Sequence, residues 1–379
     1  MNFMSLIEAS WIGVVYFGLP YILALIVIVF IHEFGHFIVG RWCGVTIETF
    51  SIGFGREILG FNDKHGTRWK FCWIPLGGYV RFKGDMNAAS LPSSDAGHLP
   101  GSLHAAKLWK RMAIVAAGPI ANFLLSILIF AAAFSIIGIP VSEPRIDTVT
   151  EDGAAKVAGL LPGDYIRKVD GMSVRTFGDI QEKMILRGEN PVDLQIDRAG
   201  QLIDVTIVPR VKEIDDNFGS TTRTSLIGIT HDGSKDKEVT ERLSPTAAIV
   251  KGVERTYFIG LTTLRYLGKI ILGSERSNQL HGPLGAAKIA GDFAAHGLWA
   301  FATFIGLISV SIGLVNLFPI PMLDGGHLVF YALEALLGKP VSQQTQEWSF
   351  RIGLSVILLF MIFVSTNDIG RFWAMSFGS

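Results

Sequence analysis

Four long stretches of the chain carry almost no ionisable side chains. About 20 consecutive apolar residues cross a bilayer as a helix, so each stretch predicts a transmembrane helix. The fourth stretch, Ile352 to Asn367, is shorter. It is long enough to cross the bilayer if the Arg351 side chain snorkels to the membrane surface and if Phe372 and Trp373 lie at the membrane interface. The stretches run from Trp11 to Gly40, from Met112 to Ser142, from Phe293 to Leu323 with only His296 interrupting, and from Ile352 to Asn367. The pattern predicts a polytopic α-helical membrane protein.

A different pattern follows the first stretch. Residues 45–56 and 67–74 alternate and are rich in β-branched and aromatic side chains, which predicts two strands. Next come Pro75 to Phe82, where the paired glycines Gly77 and Gly78 permit a sharp turn before the strand resumes. Two interpretations stay open. The segment is either a plain hairpin, or a membrane-associated sheet edge on which Gly77, Gly78, Tyr79 and Val80 pair with an extended substrate.

Residues 142–211 have the length of one compact soluble α+β domain. The string Ala155-x-x-Ala-Gly-Leu-x-x-Gly-Asp-x-Ile-x-x-Val-Asp-Gly171 resembles a PDZ domain, whose groove takes a peptide as an added strand. Ile146, Thr148 and Val149 lie where the groove strand is expected. The polar residues 212–244 predict an irregular connection, and residues 245–272 predict an amphipathic helix on the outer membrane surface.

The predicted segments divide the chain into eight parts. These are a first transmembrane helix (1–42), a β region with a loop (43–106), a second helix (107–141), the PDZ domain (142–211), a linker with the surface helix (212–292), a third helix (293–327), a cytoplasmic loop (328–350) and a fourth helix (351–373).

Composition supports a membrane protein. Only 17% of the 379 residues are charged and the mean hydropathy is +0.41, whereas soluble proteins average about 25% charged residues. The formal net charge is zero and basic runs are short, so nothing favours nucleic-acid binding. The segment from Arg41 to Arg111 holds ten basic residues and Met1 to Tyr16 holds none, which predicts that this segment is cytoplasmic. Cys43 and Cys72 flank part of it and are therefore expected to be reduced.

The first apolar stretch contains the sequence His32-Glu33-Phe34-Gly35-His36. Four-residue spacing on a helix places both imidazoles on one face, which is half of a zinc site, and the glutamate is positioned to act as a general base. Ordinary helix histidines are the alternative. A glutamate and two histidines at membrane depth are costly without a function, so the setting favours metal binding.

A third ligand is expected from Asn316-Leu-Phe-Pro319-Ile-Pro321-Met-Leu-Asp324-Gly-Gly-His327. A carboxylate completes a two-histidine zinc site, and the paired glycines let the backbone bend around Asp324. His327 is the rival ligand. Asn122, in the second apolar stretch, is expected to be a structural polar contact between helices.

Taken together, these motifs resemble the site-2 protease family, in the order found in its RseP-type bacterial branch. They are His32-Glu33-x-x-His36, Gly77-Gly78-Tyr79-Val80, a PDZ domain, His281-Gly282-Pro283 and Asn316-x-x-Pro319-x-Pro321-x-Leu-Asp324-Gly-Gly. Enterobacterial members of that branch carry two PDZ domains in tandem, and this chain has one.

The resemblance implies Zn²⁺ on His32, His36 and Asp324, with Glu33 as general base and acid. It implies cleavage of a single-pass membrane protein within the bilayer, after a first cut outside it. The substrate would be an anti-sigma factor in a stress response or a signal-peptide remnant. The strand from Gly77 would hold the substrate, and Asn316, with Pro319 and Pro321 beside it, would bind the substrate backbone. The location implied is the bacterial inner membrane, with the PDZ domain in the periplasm.

Two other functions compete with proteolysis. A noncatalytic PDZ scaffold anchored in the membrane would explain the PDZ domain but not the intact set of metal residues. A zinc transporter would need further acidic or histidine residues along several spans, and the sequence has few.

Overall fold

The computed structural model describes residues 13–85, 99–140, 142–185, 188–215, 221–232, 240–273 and 282–377. It consists mostly of helices, with strands in two regions of the chain. Four helical stretches are long and apolar enough to cross a membrane: Val15–Trp42, Leu108–Ile136, Leu298–Asn316 and Gln343–Gly370. Of the sequence predictions, residues 11 and 12 of the first run and His281 lie outside the described residues.

The helices were numbered in chain order. They are α1 (Leu19–Trp42, after a π-helical turn at Val14–Gly18), α2 (Leu108–Ile136), α3 (Ala154–Val157), α4 (Phe177–Ile185), α5 (Pro245–Ile271), α6 (Pro283–Ala295), α7 (Leu298–Asn316), α8 (Asp324–Leu337) and α9 (Gln343–Phe377).

The strands were numbered in the same way. They are β1 (Ile47–Asn62), β2 (Arg68–Phe82), β3 (Ile139–Pro140), β4 (Thr148–Val149), β5 (Tyr165–Val169), β6 (Met172–Ser173), β7 (Val192–Arg198), β8 (Gln201–Ile207), β9 (Arg210–Asp215), β10 (Thr221–Leu226), β11 (Ile229–Thr230) and β12 (Thr240–Glu241).

The chain forms two compact units. The helical unit comprises Met1–Ala133, Ile249–Leu261 and His281–Gly370, and the strand-rich unit comprises Phe134–Ala248, Thr262–Leu280 and Arg371–Ser379. In the strand-rich unit the four strands β6, β5, β7 and β8 form an antiparallel sheet in that order. Its buried core includes Ile166, Leu194 and Ile196.

The strands β1 and β2 of the helical unit are long and strongly bent. Thr49 lies opposite both Arg81 and Arg68, so the first half of β1 lies between the two ends of β2. The segment Gly78–Phe82 is then outermost, since it pairs with β1 on one side and with no other strand of the described residues on the other. This sheet packs its buried Phe50 and Val80 against Phe37 of α1.

Two predicted boundaries differ from the structure. The predicted third span, 293–327, is divided among three helices, with breaks at His296–Gly297 and after Asn316. Pro319 and Pro321 lack the backbone N–H that a helix requires, which explains the second break. The predicted loop 328–350 is largely helical, because α8 continues to Leu337 and α9 begins at Gln343.

The predicted surface helix is present as α5. It packs along α2 through small residues: a Cβ added at Gly252 would lie 2.7 Å from the Ile127 carbonyl oxygen, and the Thr256 hydroxyl donates to Ser126 Oγ at 3.4 Å. Its placement on the membrane surface stays a prediction.

Candidate metal centre

The two histidines of the motif are aimed at one point by contacts with α2. His36 Nδ1 lies 2.8 Å from the Ile114 carbonyl oxygen, to which its N–H donates, and His32 Nδ1 lies 3.2 Å from the Asn122 amide. Both rings therefore present Nε2 on the other side, and the two Nε2 atoms are 3.2 Å apart. Fixing the outer nitrogen of a metal-binding imidazole sets both its tautomer and its direction.

Small residues let α1 and α2 approach closely enough for these contacts. A Cβ added at Gly118 would lie 2.3 Å from His36 Nε2, and one added at Gly35 would lie 2.4 Å from the Ala117 carbonyl oxygen. Neither distance is possible for non-bonded atoms. Glycine at both positions is therefore a requirement of the site.

Asp324 completes the cluster from the first residue of α8. Its Oδ2 lies 3.1 Å from His32 Nε2 and its Oδ1 lies 3.5 Å from His36 Nε2. The three donor atoms lie within 4.8 Å of one another. Oδ2 is buried and accepts no hydrogen bond from the residues that the structure describes.

This donor set fits zinc. Two imidazole nitrogens and one carboxylate are a zinc ligand set that leaves a fourth position for water or substrate. A buried carboxylate oxygen without a hydrogen-bond donor is explained when a cation is its partner.

A tight turn brings Asp324 back from the end of α7. Met322 has a positive φ of 84°, and Gly325 packs so closely that an added Cβ would lie 2.2 Å from the Phe318 carbonyl oxygen. Helix α9 supports this turn from outside, since a Cβ at Gly353 would lie 2.1 Å from the Pro321 carbonyl oxygen. The position of the ligand is thus set by backbone packing on both sides.

Glu33 faces the outer segment of β2. The backbone N–H of Val80 lies near the Glu33 carboxylate, and a Cβ added at Gly78 would lie 3.0 Å from Glu33 Cγ. The strand therefore passes directly beside the metal ligands and their neighbouring glutamate. Of the two interpretations of this segment, the structure has the sheet edge next to the metal residues.

One pocket contains the metal cluster, Glu33 and most of the residues predicted to bind substrate. Gly78, Tyr79, Val80 and Asn316 line it, whereas Gly77, Pro319 and Pro321 do not. Gly77 instead has a φ of +121° and packs against the Phe54 ring. The two prolines form the turn that carries Asp324.

The pocket also contains residues that the sequence analysis did not assign to it. Met322 and Tyr331 line it. His327, predicted only as a rival ligand, also lines the pocket but lies outside the three-residue ligand cluster. Tyr331 follows His327 by one helical turn, so the periodicity of α8 would have indicated it. Asn122 had been predicted only as a contact between helices, and its position on His32 could not be read from spacing.

The residues of the predicted peptide groove lie on a strand that is paired along part of its length. The Ile146 N–H donates to the Asp164 carbonyl on one side, and Thr148 and Val149 pair with β11 on the other. Strand β11 comes from the segment predicted to be irregular, and Ile227 beside it is part of the buried core. The use of these residues as a peptide groove stays a prediction.

Comparison with known proteins agrees with the geometry. Residues 20–360 match the model of Peptidase family M50. A protein of Agrobacterium fabrum named "Putative zinc metalloprotease" is 45% identical over 92% of this chain and 94% of its own length. A protein of the same name from Rhizobium meliloti is 43% identical, covering 92% and 95%, and metalloprotease MmpA of Caulobacter vibrioides is 36% identical, covering 93% and 94%.

Among solved structures, the PDZ domain of the SdrC-like protein of Listeria monocytogenes covers 25% of this chain and 94% of its own. The identity is 18% and the TM-score is 0.21, which is too low for this likeness to assign a fold or a function. The family match spans most of the chain and includes all three ligands and Glu33. The chain belongs to Peptidase family M50, the zinc-dependent site-2 protease family, and its cofactor is zinc.

Proposed function

We propose that this protein is an intramembrane zinc metalloendopeptidase that hydrolyses a peptide bond in the transmembrane segment of a single-pass membrane protein. The observation that carries the proposal is the convergence of His32, His36 and Asp324 beside Glu33, on helices apolar enough to cross a membrane. Zinc, when bound by these ligands, supplies a Lewis acid that polarises the scissile carbonyl and lowers the pKa of water.

Glu33 is the proton carrier of the proposed reaction. Hydrolysis adds the oxygen of one water to the carbonyl carbon, breaks the C–N bond and leaves a carboxyl group and an amine. Glu33 takes a proton from the attacking water and delivers it to the leaving nitrogen. Its side chain lines the same pocket as the ligands, which supports this role.

The edge of β2 is proposed to hold the substrate. A transmembrane helix hides its peptide groups, so the substrate must unwind before its amides can be attacked, and unwinding leaves backbone groups without hydrogen-bond partners in lipid. The open edge at Gly78–Phe82 offers new partners next to the metal. Asn316 lines the same pocket and is proposed to bind the substrate backbone.

The finer assignment follows the family resemblance. The substrate is proposed to be an anti-sigma factor or a signal-peptide remnant, cut after a first protease has removed its outer part, as in regulated intramembrane proteolysis during a stress response. The enzyme is placed in the bacterial inner membrane with the strand-rich unit, as a PDZ domain, in the periplasm.

Substitution of Glu33 by Gln tests the catalytic proposal. The variant keeps the size and polarity of the side chain but cannot carry the proton, so we expect zinc to stay bound and cleavage of a model transmembrane peptide to fall by a factor of at least about 10². Glu254→Gln, on the exposed face of α5 where it pairs with Lys251, is the matched control and should cleave normally. Undiminished cleavage by Glu33→Gln would favour the noncatalytic scaffold.

Zinc analysis tests the ligand assignment. Wild type should contain one zinc per chain after purification, and Asp324→Ala should lose most of it, because two histidines alone bind zinc weakly. A full zinc complement in Asp324→Ala would show that the carboxylate is not a ligand.

A further inference from the structure

Helix α8 carries two polar side chains that are not part of the three-residue ligand cluster. His327 and Tyr331 follow Asp324 by three and seven residues, so all three lie on one face of the helix. Both line the pocket that contains His32 and Glu33. Gly78, Tyr79 and Val80 of β2 line the same pocket.

The rings of both residues are held in place by packing. The His327 ring centroid lies 5.3 Å from that of Phe350 on α9. The Arg111 guanidinium lies 5.0 Å from the Tyr331 ring centroid, and it is fixed by a hydrogen bond of 2.9 Å to Glu334. The two side chains therefore keep their direction without using their polar atoms.

The polar atoms of both residues have no partner in the described structure. Neither the ring nitrogens of His327 nor the Tyr331 hydroxyl makes a hydrogen bond to any residue in the described ranges. The nearby polar pair is already satisfied internally, because Asp85 accepts from Phe82 N–H and lies 3.0 Å from His104 Nε2. These polar atoms are not among the fully buried unpartnered atoms of the described residues, and both side chains line the pocket. They are therefore open to it, and a ligand in the pocket can supply their hydrogen-bond partner.

The helix geometry gives the spacing of the two groups. Along α8, His327 lies about 4.5 Å from Asp324 and Tyr331 about 6 Å further on, at a rise of 1.5 Å per residue. An extended chain advances about 3.3 Å per residue, so the second interval corresponds to about two substrate residues. A substrate strand on β2 would lie in the pocket that both groups line.

We propose that His327 and Tyr331 bind the substrate backbone, with His327 donating to the scissile carbonyl oxygen and Tyr331 donating to a carbonyl about two residues away. The proposal rests on the proteolytic function proposed above. Negative charge grows on the scissile oxygen as water adds, so the His327 hydrogen bond strengthens in the transition state. The Tyr331 bond has nearly the same strength before and during the reaction, so it contributes to binding.

The test compares full-length variants on a model transmembrane peptide, with kcat, KM and zinc content measured for each. His327→Phe keeps the ring contact with Phe350 but removes the donor, and His327→Gln restores an N–H. We expect His327→Phe to lower kcat about 10²-fold with zinc content unchanged, and His327→Gln to recover about tenfold of that loss. Tyr331→Phe should raise KM about tenfold with kcat unchanged. His296→Phe, at the exposed end of α6, is the control and should match wild type.

Several outcomes would overturn the proposal. Normal kcat in His327→Phe rejects the role of the histidine, and normal KM in Tyr331→Phe rejects that of the tyrosine. Loss of zinc in His327→Phe would assign the ring to the metal site instead. Wild type and Glu33→Gln serve as references. If wild type cleaves the peptide and Glu33→Gln does not, a normal kcat or KM in the His327 and Tyr331 variants rejects only the roles proposed for these two residues. Equal activity of wild type and Glu33→Gln would reject the proteolytic function itself.

Discussion

At the scale of single residues, the outer contacts of the two histidines matter as much as the ligands. The Ile114 carbonyl fixes His36, and the Asn122 amide lies against His32. Asn122 Oδ1 is buried and has no hydrogen-bond partner among the described residues. With zinc on Nε2 the proton of His32 is on Nδ1, and turning the amide by 180° lets Oδ1 accept that proton. One rotation then satisfies both groups.

Replacement of Asn122 should therefore weaken zinc binding. Removing the outer partner of a metal-binding histidine costs about 10- to 100-fold in affinity, so we expect a loss of that size for Asn122→Ala. Competition with a chelator measures it. Asn122→Asp retains an acceptor oxygen and should bind zinc more tightly than Asn122→Ala. Equal affinity of Asn122→Ala and wild type would contradict this role.

The charged pair Asp164–Arg198 makes the strand-rich unit sensitive to acid. Burial raises the pKa of Asp164, but hydrogen bonds from Arg198 and from the Leu161 N–H outweigh it and hold the pKa below its ordinary value of 3.8. The pKa of Asp164 is lower in the folded protein than in the unfolded chain. The stabilisation of the fold by the Asp164 carboxylate is therefore fully present at pH values above the unfolded pKa, and it is lost as the pH falls through the folded pKa.

Hydrogen exchange tests this pH dependence. At pH 6, Asp164→Asn should lower the opening free energy of the strands around residues 165–207 by about 2 kcal/mol, the value of hydrogen bonds to a charged group. Below pH 4 the difference from wild type should shrink, since wild type loses the carboxylate as well. A difference that stays constant down to pH 3 would contradict the assignment.

At the scale of secondary-structure elements, the turn between α7 and α8 shows what sequence could and could not predict. The choice of Asp324 as third ligand followed from residue type and neighbouring glycines. The run of apolar residues nevertheless predicted one span through 293–327. Hydropathy depends only on composition, so it cannot show that the chain leaves the helical conformation after Asn316 and resumes it at Asp324. The backbone contacts of Gly325 and the support from Gly353 lie far apart in sequence and become visible only in three dimensions.

Gly325→Ala should displace the ligand without unfolding the helices. Its Cβ would lie 2.2 Å and 2.3 Å from two backbone carbonyl oxygens, so the turn has to shift, at a cost of about 1–3 kcal/mol. We expect a fall in zinc content and activity of at least about tenfold, with helical circular dichroism unchanged. Gly268→Ala in α5 meets nothing within 4 Å and is the control. Normal zinc content in Gly325→Ala would show that the turn is more tolerant than its packing indicates.

At the scale of the whole molecule, long-range pairing limited what the sequence could predict. The long apolar helices and the metal residues follow from local patterns. Residues 221–230 carry no strong apolar pattern, yet they return to pair with β4 and β9, and β12 returns to pair with β3. Such pairings depend on segments far along the chain, so the predicted boundary at residue 211 was too early.

This return of the chain allows the gating role of the strand-rich unit to be tested. Thr240 pairs with Pro140, so the two ends of the segment 141–239 lie on neighbouring strands. This segment can therefore be replaced by a short Gly-Ser linker. If the unit excludes substrates with a bulky outer domain, the shortened protein should cleave both full-length and trimmed substrate, whereas wild type cleaves only the trimmed form. Full-length substrate that stays intact, while trimmed substrate is cut at the normal rate, would reject gating.

The position of the Val80 amide beside the Glu33 carboxylate has a consequence for docking. The edge that an incoming chain would pair with and the group proposed to carry protons are neighbours. A chain that docks on this edge would therefore come to lie next to Glu33, so recognition of its backbone and its positioning for hydrolysis would be one event.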